Sequence, residues 1–384
     1  MVRCAPSLVL LGRIKVNRLV VFVFFISLAV FLFGLILPFL AQYFEKKLAS
    51  RTTGASSRLV EGSLEVIIPA YLEAGVVPET IARLRDQLRS WPHACSITVV
   101  ASDHATVLAA VTADKVLVGE PRGKPTAVNQ GIENSVSTYI VLTDANCEIY
   151  PQDWPIYLKA ALKDSSLISA QKEEISSREG LFWQYENRIK KRSTTAVGTL
   201  SVIGEFMAFR RADFRPIPAR IQSDDLWMAM DFNQQGLTVA LSLDISTTEI
   251  PASPSEQWER RVRIAAGQLG EALPQWKLLA RSSAGRLYMA HKLYRLTLGP
   301  LGFWTAAICF GLLWTPVTLP VVILVVGFSL LSYLGKIERK TPLDPIFTVV
   351  ALQTIPVMGV LRVWNRWWMR RNGKRTEGWI KIAR

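Results

Sequence analysis

Hydrophobic positions fall into two kinds of pattern along this chain. Near the ends they form unbroken runs. Leu19 to Ala41 contains no charged residue, and a helix of that length crosses a bilayer. The run is too long for a signal-peptide core, and no small-residue cleavage site follows it. Leu296 to Gly335 is a second run, 40 residues without a charge. Pro316 and Pro320 punctuate it near its middle, which predicts two crossings joined by a tight turn. A third run, Pro345 to Leu361, is short and contains Pro356. It reads as a crossing, a re-entrant piece or an interfacial helix.

In the middle of the chain short apolar runs alternate with helical patterns. Strands are predicted at 64–70, 96–102, 115–119, 139–143, 167–171 and 202–209, and helices at 78–89, 126–134 and 153–163. Ile81, Leu84 and Leu88, for example, share one helical face. Such alternation predicts an α/β domain with a mainly parallel sheet. The expected organisation is a basic segment 1–18, a membrane helix 19–41, a polar linker 42–63 and the α/β domain 64–254. An amphipathic helical segment 255–295, two membrane helices 296–335, the third hydrophobic segment 343–361 and a basic, Trp-rich tail 362–384 complete it. Internal repeats and low-complexity tracts are absent.

Charge sharpens this picture. The formal net charge is +14 and the mean hydropathy +0.22. Residues 362–384 hold eight basic side chains and one acid. Trp364, Trp367 and Trp368 interleave there with Arg362, Arg366, Arg370 and Arg371. Tryptophan beside arginine at the end of an apolar run is the composition of a membrane interface facing anionic lipid. A nucleic-acid partner is therefore not expected. The four cysteines are scattered without metal-ligand spacing, and no disulfide framework is suggested. The three histidines are also far apart, which leaves little support for a zinc site or a Ser-His-Asp hydrolase.

In open α/β sheets ligands bind beyond the carboxyl ends of the strands. Asp103 follows the second predicted strand and Asp144 the fourth. In "VLTDANCEIY" the strand runs into Asp144 and Asn146, two positions apart. An extended chain points such a pair to one face. The pair is half of a site for a hard divalent cation, or an Asx-rich turn. Other stretches carry weak signals singly: "VIIPAYLEA" (66–74), "VVASDHAT" (99–106), and "PRGKPTAVNQG" (121–131), where Arg122, Lys124 and a helix start suit a phosphate. "QSDDLWMAM" (222–230) offers adjacent carboxylates, with Asp224 expected to cap the helix and Asp225 free for chemistry. "EQWERRVRIAAG" (256–267) puts Arg260, Arg261 and Arg263 within one helical turn.

Taken in order, these motifs resemble the membrane-integrated glycosyltransferases of family 2, which have the GT-A fold. That family carries a Pro-x-Tyr-x-Glu strand end, an Asp after the second strand, a Gly-Lys…Asn-x-Gly segment, a D-x-D-like motif and an acidic pair. The match spans residues 64–267, and "GLFWQYENRIKKRS" (180–193) resembles a stretch of a bacterial polysaccharide branch. The resemblance implies a GT-A, Rossmann-like nucleotide-sugar domain flanked by transmembrane helices. It implies that Ala70, Tyr71 and Glu73 border the nucleotide, Asp103 meets the nucleobase and Lys124 lies near the donor. Asp144, with Asn146 beside it, would hold Mg²⁺ or Mn²⁺ on the diphosphate. Asp225 would be the general base, and Arg261 and Arg263 would hold the leaving diphosphate.

The chemistry agrees with those roles. A departing diphosphate gains charge that a metal and guanidiniums neutralise, and the acceptor hydroxyl needs a base. One displacement inverts the anomeric carbon. The implied activity is transfer from a nucleotide-diphosphate sugar, a UDP-sugar first, to a lipid or saccharide acceptor at the cytoplasmic membrane. The alternative is a non-catalytic scaffold that binds nucleotide sugar. The last motif departs from the family: Ile264 stands where Gln-x-x-Arg-Trp has tryptophan, which favours short transfer over long-chain synthesis. Nucleotide sugars are cytosolic, so 42–295 and the basic tail are expected on that side, with the N-terminus outside. Protein partners are not legible.

Overall fold

The computed structural model describes residues 18–49, 59–121, 123–173, 180–249, 254–314, 318–333 and 344–371. The expectations for the N-terminal basic segment before Arg18, for linker residues 50–58, for Arg122 and for the tail beyond Arg371 lie outside the described residues.

Eight strands form one sheet in the order β3-β2-β1-β4-β7-β6-β8-β5 among the described residues. They are β1 Leu64–Ala70, β2 Cys95–Ala101, β3 Lys115–Val118, β4 Tyr139–Thr143, β5 Cys147–Tyr150, β6 Leu167–Lys172, β7 Phe206–Arg210 and β8 Val239–Glu249. Four pairings are parallel and three antiparallel. The parallel half, β3-β2-β1-β4, is the part that alternating strands and helices announced. The helices α2 Val77–Gln87, α3 His104–Ala109 and α4 Lys124–Glu133 run between its strands; α1 Arg18–Ala49 precedes β1, and α5 Trp154–Ala161 follows β5. The second half adds α6 Gly180–Val197, α7 Asp224–Gln234, α8 Pro254–Ala272, α9 Trp276–Leu279, α10 Ser283–Tyr288 and α11 Tyr294–Leu296. A π-helical turn at Met289–Leu293 joins α10 to α11, and α12 Leu298–Trp314, α13 Thr318–Tyr333 and α14 Asp344–Arg371 follow.

β1 is buried at every position, as a central strand covered on both faces must be. Its alternate side chains feed two cores. Ile67, Ile140 and Leu142 pack with Val128, Leu226, Met230 and Val262 on one side of the sheet. Val66, Ile68 and Val141 pack with Ile81, Leu84 and Trp154 on the other. The period of two along each strand is what sorts them.

Several boundaries differ from expectation. The seventh strand begins at Phe206 rather than at 202. β5 and β8 were not foreseen. β5 has only four residues, and β8 alternates with many polar positions. β5 sits at the sheet edge, where α2 covers it: Thr80 Oγ1, Arg83 Nη2 and Gln87 Nε2 donate to the carbonyls of Ala145, Cys147 and Ile149 at 2.5, 2.8 and 2.9 Å. The donors lie on one helical face and the acceptors are alternate strand positions, so the two periodicities mesh. α1 continues to Ala49, so 42–49 is helix and not linker. The segment 255–295 is broken into short helices after α8. α14 runs from Asp344 through Arg371, so no boundary falls at 361.

α1 packs antiparallel to α12. Tyr294 Oη donates to the Val30 carbonyl at 2.6 Å, and the rings of Phe31 and Phe303, then Phe24 and Phe310, follow outward. At its inner end Glu45 binds Arg286 through two 2.6 Å bonds. Gln42 Nε2 reaches the Ile189 carbonyl of α6 at 2.8 Å. α6 is fixed in turn by Glu186, fully buried, which accepts from His291 Nε2 at 2.8 Å and pairs with Lys292 and Arg295.

Removing that carboxylate would strand buried cations. Glu186→Ala is expected to cost about 3–5 kcal/mol, measured as a fall in thermal midpoint of the detergent-solubilised chain. An unchanged midpoint would refute the pinning role.

Candidate active site

The antiparallel pairing of β7 with β4 sets Thr143 opposite Phe206. The carboxyl end of β4 therefore meets the segment entering β7, and Thr143 Oγ1 donates to the Glu205 carbonyl at 2.9 Å. Asp144 emerges there. Its Oδ1 accepts from Lys124 Nζ at 2.6 Å, and the same ammonium donates to the Gly204 carbonyl at 3.1 Å and faces Asp224 Oδ2 at 3.8 Å. Gly123 makes this possible: at φ 119° it turns the chain into α4 so that Lys124 opens the helix. Gly204 lies against both charges: a Cβ there would stand in ordinary contact, 3.4 Å from the ammonium and 3.7 Å from Asp225 Cβ. Burial opposes the charge on Lys124, but Asp144, Asp224 and Asp225 outweigh it and hold the ammonium above its ordinary range.

The acidic pair is arranged differently from expectation. Ser223, not Asp224, occupies the helix-cap position of α7. Asp224 is the first helical residue, and its alignment on Lys124 buries it. Burial pushes its carboxyl up, which Lys124 opposes. Oδ2 of Asp224 has no hydrogen-bond partner. Asp225 Oδ1 accepts from Ser223 Oγ at 2.9 Å and from the Leu226 amide at 2.7 Å. Asn146 lies in the turn between β4 and β5 rather than on an extended strand. Its buried Nδ2 finds no acceptor.

The loop after β1 is tied to α3. Asp103 caps that helix, accepting from the Thr106 amide at 3.0 Å and Thr106 Oγ1 at 2.7 Å. It also accepts from the Leu72 amide at 2.6 Å, and Thr106 Oγ1 accepts from the Glu73 amide at 3.0 Å. Leu72 sits at φ 56°, a conformation costly for a leucine and held here by the Asp103 bond. Ala70, Tyr71 and Glu73 are thereby placed at the carboxyl edge of the parallel strands, beside Asp103. The cap at Asp103 was not foreseen, and its nucleobase role stays an expectation.

The arginines separate. Arg260 is absorbed by a buried cluster that sequence reasoning missed: it pairs with Glu205 at 3.0 Å and with Glu249, while Lys172 pairs with Glu249 at 2.7 Å and with Glu205. The signal was an acid, Glu205, interrupting an apolar run. Burial opposes ionisation of Glu249, but Arg260 and Lys172 hold it well below the usual carboxylate range. Arg263 is exposed on α8, with Asp224 and Asp144 within its electrostatic reach. Arg261 is half-buried and Ile264 is exposed. α14 braces this helix: Arg362 pairs with Glu259, and Arg366 with Gln222 just before the acidic pair.

Among the described residues no group of three or more His, Cys, Asp or Glu is gathered for a metal. The donors present, Asp144 with Asn146 nearby, are hard oxygens. They suit Mg²⁺ or Mn²⁺, which take one or two protein oxygens and leave the rest to phosphate and water.

Residues 65–217 match the family model described as glycosyl transferase family 2. Those residues form a family 2 glycosyltransferase domain. Of the solved structures, the mannosyltransferase PcManGT from Pyrobaculum calidifontis, in complex with GDP-Man and Mn²⁺, matches at TM-score 0.64 and 19% identity over 89% of this chain and 99% of that one. At that identity the likeness shows the GT-A fold alone. Mannosyl-3-phosphoglycerate synthase from Rubrobacter xylanophilus (TM-score 0.43, 10% identity, 56% of this chain and 75% of that one) carries no argument. Nor does S. aureus TarS 1-349 (TM-score 0.39, 14% identity, 82% and 93%). No curated protein matches the sequence. The family match stops short of α7 and α8, so Asp224, Asp225 and the arginines of this glycosyltransferase stand on the geometry above.

Arg260 and Arg263 should part company on substitution. Arg260→Met leaves two buried acids with Lys172 alone, and a loss of about 3 kcal/mol or more is expected. The lowered Glu249 stabilises the fold above its ordinary value of 4.5, and that contribution fades as the pH falls. Arg260→Met should therefore flatten the acid side of the stability profile. Arg263→Met should leave the thermal midpoint within a degree or so of wild type, since exposed charges contribute little. Equal destabilisation by both would contradict this division.

Proposed function

We propose that the chain is an inverting glycosyltransferase of the membrane, moving a sugar from a nucleotide-diphosphate donor to a lipid or saccharide acceptor at the bilayer surface. The observation that carries the reading is the convergence of Asp144, Lys124, the Gly204 carbonyl and Asp224 at the carboxyl end of β4, with Arg263 in electrostatic reach. Asp225 starts the same helix as Asp224 and is the base. It takes the proton of the acceptor hydroxyl as that oxygen bonds to the anomeric carbon. The bond from carbon to the donor phosphate breaks, and its electron pair leaves on the diphosphate. Attack opposite the departing group inverts the centre.

Asp144, with Asn146, would hold the divalent ion, which when bound would neutralise the diphosphate. Arg261 and Arg263 steady the same charge in the bidentate manner of guanidiniums. Ala70, Tyr71, Glu73 and Asp103 border the nucleotide. Ile264 puts an aliphatic side chain where the family motif has tryptophan, which favours single or few transfers.

The membrane reading rests on two helical runs, Arg18–Leu48 and Ser283–Leu313, each long and apolar enough to span a bilayer. Because α1 and α12 are antiparallel, the start of α1 and the end of α12 lie together, at the opposite end from Glu45 and Arg286. α13, with 16 described residues, spans about 24 Å and returns the chain. α14 exposes Trp364, Trp367 and Trp368, with Arg371 over the Trp367 ring at 5.3 Å. That composition suits the lipid interface on the domain side. The nucleotide-sugar domain then faces the cytosol.

Donor turnover tests the whole reading. The chain in detergent is offered UDP- and GDP-sugars with Mg²⁺ or Mn²⁺ and a total lipid extract, and release of nucleoside diphosphate is followed. One donor should be consumed. Asp225→Asn should lose about 10²–10⁴-fold in rate, and Asp144→Ala should fail even at saturating metal. Donor binding without turnover, with the Asp225→Asn phenotype intact in cells, would favour the scaffold.

A further inference from the structure

Resting on the transferase reading, we propose that Lys124 is a resident cation. In the donor-free protein its ammonium fills the divalent-ion position between Asp144 and Asp224. The ion displaces it, and Asp224 is a second carboxylate of that ion's site.

Asp144 and Asp224 come from different elements, the end of β4 and the start of α7, and both face the same ammonium, at 2.6 and 3.8 Å. Two carboxylates converging in a mostly buried space repel each other unless a cation lies between them. Lys124 supplies it, but incompletely. The 2.6 Å contact is a hydrogen bond, whereas Asp224 Oδ2, in a side chain only 13% exposed, receives no hydrogen bond at all. A buried carboxylate oxygen without a donor is costly. An oxygen-seeking ion, with ligands at about 2.0–2.1 Å for Mg²⁺, would satisfy it where the ammonium does not. Asn146 stands two residues from Asp144 with its own amide nitrogen unpartnered.

Lysine suits a temporary occupant. It is a point charge on a flexible stem. An ion arriving alone takes Asp144 and Asp224 from the ammonium and leaves it only Asp225. An ion arriving with a diphosphate gives the ammonium a new partner. Metal and nucleotide should therefore bind with positive coupling, and the displaced lysine ends on the donor phosphates.

The test is titration of the full detergent-solubilised chain with Mn²⁺, followed by electron paramagnetic resonance, without sugar and then with UDP or GDP. Wild type should bind Mn²⁺ alone weakly, and Lys124→Met should bind it at least tenfold more tightly. Lys124→Arg, which keeps the charge, should stay near wild type. Asp224→Asn should abolish the gain in the Lys124→Met background. In the otherwise wild-type chain it should weaken Mn²⁺ binding at least tenfold with nucleotide present. Unchanged or weaker Mn²⁺ binding by Lys124→Met overturns the proposal. If that variant misfolds, the Asp224→Asn result decides, and unchanged binding there overturns it as well. No turnover is needed, so a chain that consumes no donor yet shows the lysine effect would fail as a transferase and still confirm the resident cation.

Discussion

Everything at the candidate site depends on one reversed strand. β7 enters the sheet antiparallel beside β4, so the end of one strand and the beginning of the other share an edge. Had β7 been parallel, Gly204 and Glu205 would lie at the far end of the sheet from Asp144. The reversal brings together the Gly204 carbonyl that helps hold Lys124 and the Glu205 carboxylate that anchors Arg260. Two adjacent residues thus serve two neighbouring charge clusters.

Those clusters solve the same electrostatic problem in different ways. Around Glu205 and Glu249, two acids are matched by Lys172 and Arg260 through close contacts among strands and α8. Buried charges matched one for one act as a structural brace. Around Asp144 and Asp224, two acids share one lysine, and one carboxylate oxygen is left without a donor. The deficit of positive charge lies where a metal–diphosphate is expected to bind. A fold can afford such incompleteness at a site that a ligand completes, whereas the brace has no such visitor.

The helical end of the molecule is coupled to this chemistry by short polar links. Glu45, Gln42 and Glu186 join α1, α6 and the turn before α11. Arg362 and Arg366 of α14 reach Glu259 on α8 and Gln222 beside the acidic pair. The surfaces that would meet lipid are thus one or two side chains away from the residues assigned to the donor. A membrane-bound acceptor and a cytosolic donor need that proximity.

The order of apolar runs was enough to fix the α/β class, the parallel half of the sheet and the positions of Asp103, Asp144 and the acidic pair, because buried strands and helices write their periods into local composition. β5 and β8 escaped notice because an edge strand of four residues and a polar-alternating strand leave no such imprint. Local sequence could also name carboxylates and arginines, but not their partners. That Asp224 faces Lys124 while Ser223 takes the cap, that Arg260 is consumed by Glu205 and Glu249, and that Asp103 holds a strained Leu72 were decided by tertiary structure. The reason is physical: a side chain's periodicity is set by its neighbours in the chain, whereas its charge partner is set by which strand the sheet places next to it.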